Sequence, residues 1–185
     1  AADATDRGQG GKVIAWGTES AQMHGSISAR GGVQGGDGGF VETSGHSLAV
    51  DGIRVDTGTR AGSGKRGTWL LDPFDIDVIA GSGTSLGEVD SFLDLPASGT
   101  SSVSADLISN AASDVLLQAQ HDINFKAAIA IAKSGVGLKA QAGNKINVEQ
   151  AITTNGGAIF LSANDNAGST AQGAPAVLNI GAAIS

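Results

Sequence analysis

Asp72, Asp75 and Asp77 are the side chains whose type and spacing best suit acid–base chemistry. In an extended segment Asp75 and Asp77 project to one face about 7 Å apart, within the range over which paired carboxylates cleave glycosidic bonds. On that reading the chain is a polysaccharide hydrolase or lyase. The structural alternative is preferred: Asp72 precedes Pro73 at a corner, where a carboxylate caps backbone N–H groups, and the other two keep an outer face hydrated. No enzymatic activity is expected.

Other groups carry less chemistry. Asp37, within Gly35-Gly36-Asp37-Gly38-Gly39, is the one metal candidate, because glycine–aspartate repeats bind calcium in secreted β-rolls. The glycines are misplaced for that repeat, and the unit does not recur. His24, His46 and His121 are scattered, with no H-E-x-x-H spacing, and Ser44-Gly45-His46 lacks the G-x-S-x-G elbow. No cofactor is expected. Lys12 and Trp16 form an aromatic patch suited to sugar stacking, although Trp16 reads better as a core or end-capping residue. Asn144, Asn155, Asn164 and Asn166 read as turn residues, since asparagine tolerates left-handed backbone. Arg60, Lys65 and Arg66 read as a solvated turn.

These residues are positioned by the run Gly64 to Val78. Thr68 to Leu71 is apolar and β-forming, Asp72-Pro73 stops it, and Phe74, Ile76 and Val78 then alternate with Asp75 and Asp77. The pattern predicts strand, corner, strand, with Trp69, Leu70, Leu71, Asp72, Pro73, Phe74 and Ile76 as its structural residues. Trp69 and Phe74 are its largest core candidates.

Repetition sets the wider frame. Gly11, Gly39 and Gly67 each open an apolar segment, and they lie 28 residues apart. Val115 to Phe125, Val136 to Val148 and Ala158 to Gly168 repeat again, aligned here through Gln118, Lys139 and Ser162, with second strands at Ile123–Phe125, Ile146–Val148 and Leu178–Ile180. Ala128 to Ile131 and Ala151 to Thr153 supply third strands. Asp51-Gly52 makes either a hairpin or a corner. Residues 80–113, with Pro96, lack alternation and read as an excursion, with one or two helical turns capped by Ser104. Units of this length with two or three short strands predict an all-β parallel β-helix. A β-sandwich, the competing architecture, needs no such self-similarity. Residues 1–79 form a first set of coils and 114–185 a second, in one continuous domain.

Composition agrees with short strands and tight turns: 29 glycines, 41% hydrophobic residues and few aromatics. A net charge of −7 argues against nucleic acid as a partner, which requires a clustered basic surface. With no cysteine, disulfides and thiolate chemistry are excluded. No apolar run reaches the ~18 residues of a membrane helix, so membrane insertion is not expected, and any export signal is expected upstream of Ala1.

The run GKRGTWLLDPFDIDV resembles the "GTLLLDP.DI.I" signature of filamentous-haemagglutinin-like exoproteins, the large secreted proteins of bacterial two-partner secretion. GGFVETSGHSLAVDG before it and SADLISNAASDVLLQAQHDINF after it extend the resemblance over roughly Gly10 to Ala163. The resemblance implies a right-handed β-helix, a handedness that also fits the general preference of parallel crossovers. It further implies a structural shaft segment of a surface adhesin, secreted or held at the bacterial cell surface through an outer-membrane transporter partner. A separate alternative to the shaft, read from the residues, is a binding module in which the glycine loop Arg30 to Gly39 recognises a glycan or host protein.

Overall fold

The computed structural model describes residues 1–60, 62, 64–83, 99–165 and 177–185. The strands of the first half are β1 (Lys12–Gln22), β2 (Gly25–Ser28), β3 (Phe40–Ala49), β4 (Ile53–Asp56), β5 (Thr68–Asp72) and β6 (Asp75–Ile79). Strand β7 (Thr100–Ser104) and helix α1 (Ala105–Ser109) follow. The second half holds β8 (Asp114–Ala119), β9 (Ile123–Phe125), β10 (Ile129–Ile131), β11 (Leu138–Ala142), β12 (Ile146–Val148), β13 (Ile152–Thr154), β14 (Ile159–Ala163) and β15 (Leu178–Ile180).

The architecture is all-β with parallel sheets. A six-stranded sheet runs β1-β3-β5-β8-β11-β14, a five-stranded sheet runs β15-β12-β9-β6-β7, and β2-β4 and β10-β13 form two-stranded sheets. Through the second half, consecutive strands pass from one sheet to the next, and the chain returns to the six-stranded sheet 21 to 23 residues later, as in Gln118↔Gln141 and Gln141↔Ser162.

The 28-residue spacing of the glycine-led segments is the pairing register itself, Lys12↔Phe40 and Phe40↔Thr68. In the second half Gln118 pairs with Gln141, not with Lys139 as the sequence alignment placed it. That two-residue error leaves every side chain on its own face, because the strand period is two, so hydrophobic patterning cannot reveal it. The second strands pair as expected, Ile123↔Ile146↔Leu178. Asp51-Gly52 makes a corner: β4 runs parallel beside β2 and does not fold back on β3, and Gly52 takes φ +78°.

The stretch read as an excursion contributes more order than its composition suggested. Pro96 lies outside the described residues, but Thr100–Ser104 forms β7 on the edge beside β6. Helix α1 begins after Ser104, whose hydroxyl makes no capping hydrogen bond. Among the described residues α1 is the only helix, and it is far too short to cross a membrane.

The core lies between the sheets and is filled by columns of like side chains. Val41, Trp69, Val115 and Leu138 stack in register from the six-stranded sheet, and Ile76, Ile123 and Ile146 from the five-stranded one; all seven are buried. Leu70 faces outward from β5 and is still only 8% exposed. Phe74 was expected in the core but is only partly buried, because the corner turns it away from Ile76 and Val78 onto two histidine rings.

Candidate functional site

Pro73 cannot donate to the ladder, so β5 stops at Asp72 and the chain turns through Pro73-Phe74 into β6. Successive layers place equivalent corner residues over one another. The Phe74 N–H donates to His46 O at 3.2 Å, the His121 N–H to Phe74 O at 3.0 Å, and the Asn144 N–H to His121 O at 2.8 Å. The Phe74 ring therefore sits between two imidazoles, 5.0 Å from His46 and 5.9 Å from His121, and lies nearly parallel to the latter at 8°. Sequence reading treated the histidines as scattered; the 28-residue step applied to His46 lands on Phe74 and was the signal for this stack.

Beside the stack, His121 Nδ1 lies 3.2 Å from Asp75 Oδ1 and 3.6 Å from Asp122 Oδ2. Ligand atoms of these three residues all lie within 4.8 Å of one another, so the group could hold a metal ion. Its atoms already have protein partners. Asp75 Oδ1 accepts the Asp122 N–H at 2.7 Å, Asp122 Oδ1 accepts from Asn144 Nδ2 at 2.8 Å and the Lys145 N–H at 3.0 Å, and Asn144 Nδ2 also lies 3.3 Å from His121 Nε2. The group thus clasps three successive layers of the corner.

Asp77 is likewise engaged. Its Oδ1 accepts from Asn124 Nδ2 at 2.8 Å and its Oδ2 pairs with Lys126 Nζ at 2.7 Å, while Asn147 Nδ2 donates to Asn124 Oδ1 at 2.7 Å in the next layer. Asp75 and Asp77 share an outer face as expected, but each is tied to its own neighbours. They do not converge with Asp72, which ends the other sheet.

Asp72 is the outlier. It was expected to cap backbone N–H groups, yet its carboxyl has no hydrogen-bond partner among the described residues. Burial pushes its pKa up to about 6, and the nearby Glu42 charge adds to the push. It borders a cleft of about 160 Å³ together with Trp16, Thr18, Glu42, Ser44, Gly45, His46 and Gln120. Trp16 is 74% exposed on the outer face of β1, neither core nor end cap. Lys12, its proposed companion, instead stands over Phe40, 5.1 Å from the ring centre.

Elsewhere, Asp37 Oδ1 accepts the Lys65 N–H at 2.7 Å. The glycine loop is pinned through its backbone, since the N–H groups of Gly32 and Gln34 donate to Gly8 O and Asp6 O and Arg30 grips Asp3, while Val33 stays half exposed. The two arginines of the basic turn fasten backbone, Arg60 reaching Gly31 O and Ala4 O and Arg66 reaching Ala112 O and Ser134 O, while Lys65 is exposed as expected of a solvated turn. Asn164 adopts the left-handed conformation expected of a turn asparagine, φ 56°, and Asn166 lies outside the described residues. A larger groove of about 890 Å³ opens between β4 and α1, and among the described residues that line it the only aromatic ring is the buried Trp69. No protein-family model matches the chain, and no curated protein matches it in sequence.

Proposed function

We propose that this chain is a right-handed parallel β-helix serving as a shaft segment of a large secreted, surface-displayed adhesin-like exoprotein. The observation that carries the reading is the stack of six parallel strands, paired layer on layer with one register shift between Gly17 and Ser20, in which buried positions such as Val41, Trp69, Val115 and Leu138 recur through the inner layers. Such a stack transmits position along one axis. At ~4.8 Å per layer its five steps separate β1 from β14 by about 24 Å, so further layers would hold a distal domain away from the cell. The corner clasps described above serve the same end, since each ties one layer to the next. The outer-membrane transporter partner belongs to this proposal, as does a host-surface or glycan ligand.

The test is a chimera in which this chain separates a two-partner secretion signal domain from a terminal epitope, expressed with and without the matching outer-membrane transporter. Transporter-dependent display of the epitope on intact cells is expected. Retention of the epitope inside the cell, with the signal domain alone still exported, overturns the reading.

A further inference from the structure

We infer that the cleft bounded by Trp16 and Asp72 binds a single ring of a neutral saccharide, an inference that rests on the glycan-ligand part of the reading above and gives it a site. Its shape follows from register. Trp16, Ser44 and Asp72 face one another across β1, β3 and β5, so a small serine lies between two larger side chains. The two flanking strands are about 9.6 Å apart, and the depression between them has a volume of about 160 Å³. That is roughly five waters at ~30 Å³ each and less than the ~300 Å³ at which drug-sized pockets begin, which suits one pyranose ring.

The lining has the chemistry of a polyol site. Trp16, 74% exposed, offers a flat apolar plate of the kind that covers the C–H face of a sugar. The side-chain polar groups of Thr18, His46, Asp72 and Gln120 have no hydrogen-bond partner among the described residues. Ser44 Oγ donates to Glu42 Oε1 at 3.0 Å, which leaves Glu42 Oε2 open and orients that carboxylate. The cleft thus presents hydroxyl, amide, imidazole and carboxyl groups around one aromatic plate. Sugar hydroxyls, each able to donate and accept, satisfy such a set. A quaternary ammonium would use the plate and the acids but leave the hydroxyls and amide idle, and an anion would face Glu42 and Asp72 with no Lys or Arg among the described lining residues.

The chain contains two tryptophans, and Trp69 is 1% exposed, so acrylamide quenching of intrinsic fluorescence reads Trp16 almost alone. The intact chain is titrated with methyl glucoside, methyl galactoside, methyl mannoside and their neutral disaccharides, with digalacturonate and choline as charged probes. Saturable protection by at least one neutral saccharide is expected. Ligand-observed NMR then compares Trp16→Leu and Gln120→Ala, both exposed sites whose circular dichroism should be unchanged. Loss of the plate should weaken binding about tenfold or more. Several results overturn the inference: no protection by any neutral saccharide, undiminished binding in Trp16→Leu, protection by choline alone, or equal binding of digalacturonate.

Discussion

The indole Nε1 of Trp69 donates a hydrogen bond of 3.0 Å to Thr43 Oγ1, inside the core and between adjacent layers of the six-stranded sheet. Thr43 Oγ1 in turn donates to Leu70 O at 3.2 Å. The largest buried side chain is thereby held in one orientation by a residue 26 positions earlier. Thr43→Val keeps the shape and strands the indole N–H, so it should cost about 1–3 kcal/mol, the desolvation penalty of an unpaired buried donor. Thr43→Ser keeps the bond and should cost less. Urea unfolding followed by circular dichroism measures both, and equal losses in the two variants would show that the hydrogen bond contributes nothing.

Glycine opens the repeating strands for a steric reason. A Cβ on Gly39 would lie 2.1 Å from Gly11 O, and one on Gly67 2.0 Å from Gly39 O, so adjacent layers approach too closely for any side chain. Gly39→Ala must push the layers apart and should destabilise by about 1–3 kcal/mol or more, as overpacking does. Gly25, with φ +83° and nothing within 4 Å of a built Cβ, is the contrast: Gly25→Asn meets no clash and carries only the cost of left-handed backbone, which asparagine bears best, so it should lower the urea midpoint less than Gly39→Ala.

Those glycines show what the sequence made legible. Spacing of Gly11, Gly39 and Gly67 predicts the register because Gly39 and Gly67 mark the same physical event, a close approach to the backbone of the preceding layer, and Gly11 supplies the carbonyl that Gly39 approaches. Buried positions such as Ile76, Ile123 and Ile146 were equally legible through alternation. The corner was not. Phe74 continues the alternation of Ile76 and Val78 on paper, but the turn at Pro73 breaks the strand, so parity no longer predicts its face. Asp72 was misread for a related reason: capping needs an N–H within reach, and the corner's amides are taken by carbonyls of neighbouring layers, the Phe74 N–H by His46 O. The depression beside Trp16 depends on three residues drawn from separate layers, a conjunction that local patterning does not contain.

Asp3 anchors the N-terminal segment to the glycine loop. Arg30 donates to Asp3 Oδ2 from Nε at 3.0 Å and Nη2 at 2.7 Å, and from its backbone N–H to Oδ1 at 2.8 Å. Hydrogen bonding from the Arg30 side chain holds the Asp3 pKa down at about 2. The folded pKa is depressed, so this anchorage is present above about pH 4 and is lost as pH falls through about 2. The chemical shift of the Arg30 amide should titrate with that midpoint. Asp3→Asn should abolish the titration and increase amide exchange at Ala2, whose N–H donates to Ser28 O.

Asp72 carries the opposite dependence. Burial first, and the Glu42 charge second, raise its pKa from 3.8 to about 6. A raised folded pKa means that the folded chain holds this proton more tightly than the unfolded chain does, so the associated stability is full below about pH 4 and is lost as pH rises through about 6. At full weight a shift of two units corresponds to nearly 3 kcal/mol, and the solvent-facing side of the cleft reduces this to about 1–2 kcal/mol. Asp72→Asn cannot ionise. Its unfolding free energy should lack the decline that the parent shows between about pH 4 and pH 7, which leaves the variant the more stable of the two at neutral pH. Glu42→Gln separates the two causes: it removes the like charge but leaves the burial, so the Asp72 carboxyl resonance should titrate at a lower pH than in the parent yet still above the ordinary carboxylate range. A parent midpoint near 4 would instead mean that water reaches this carboxyl freely, and the pH-dependent loss of stability should then be absent.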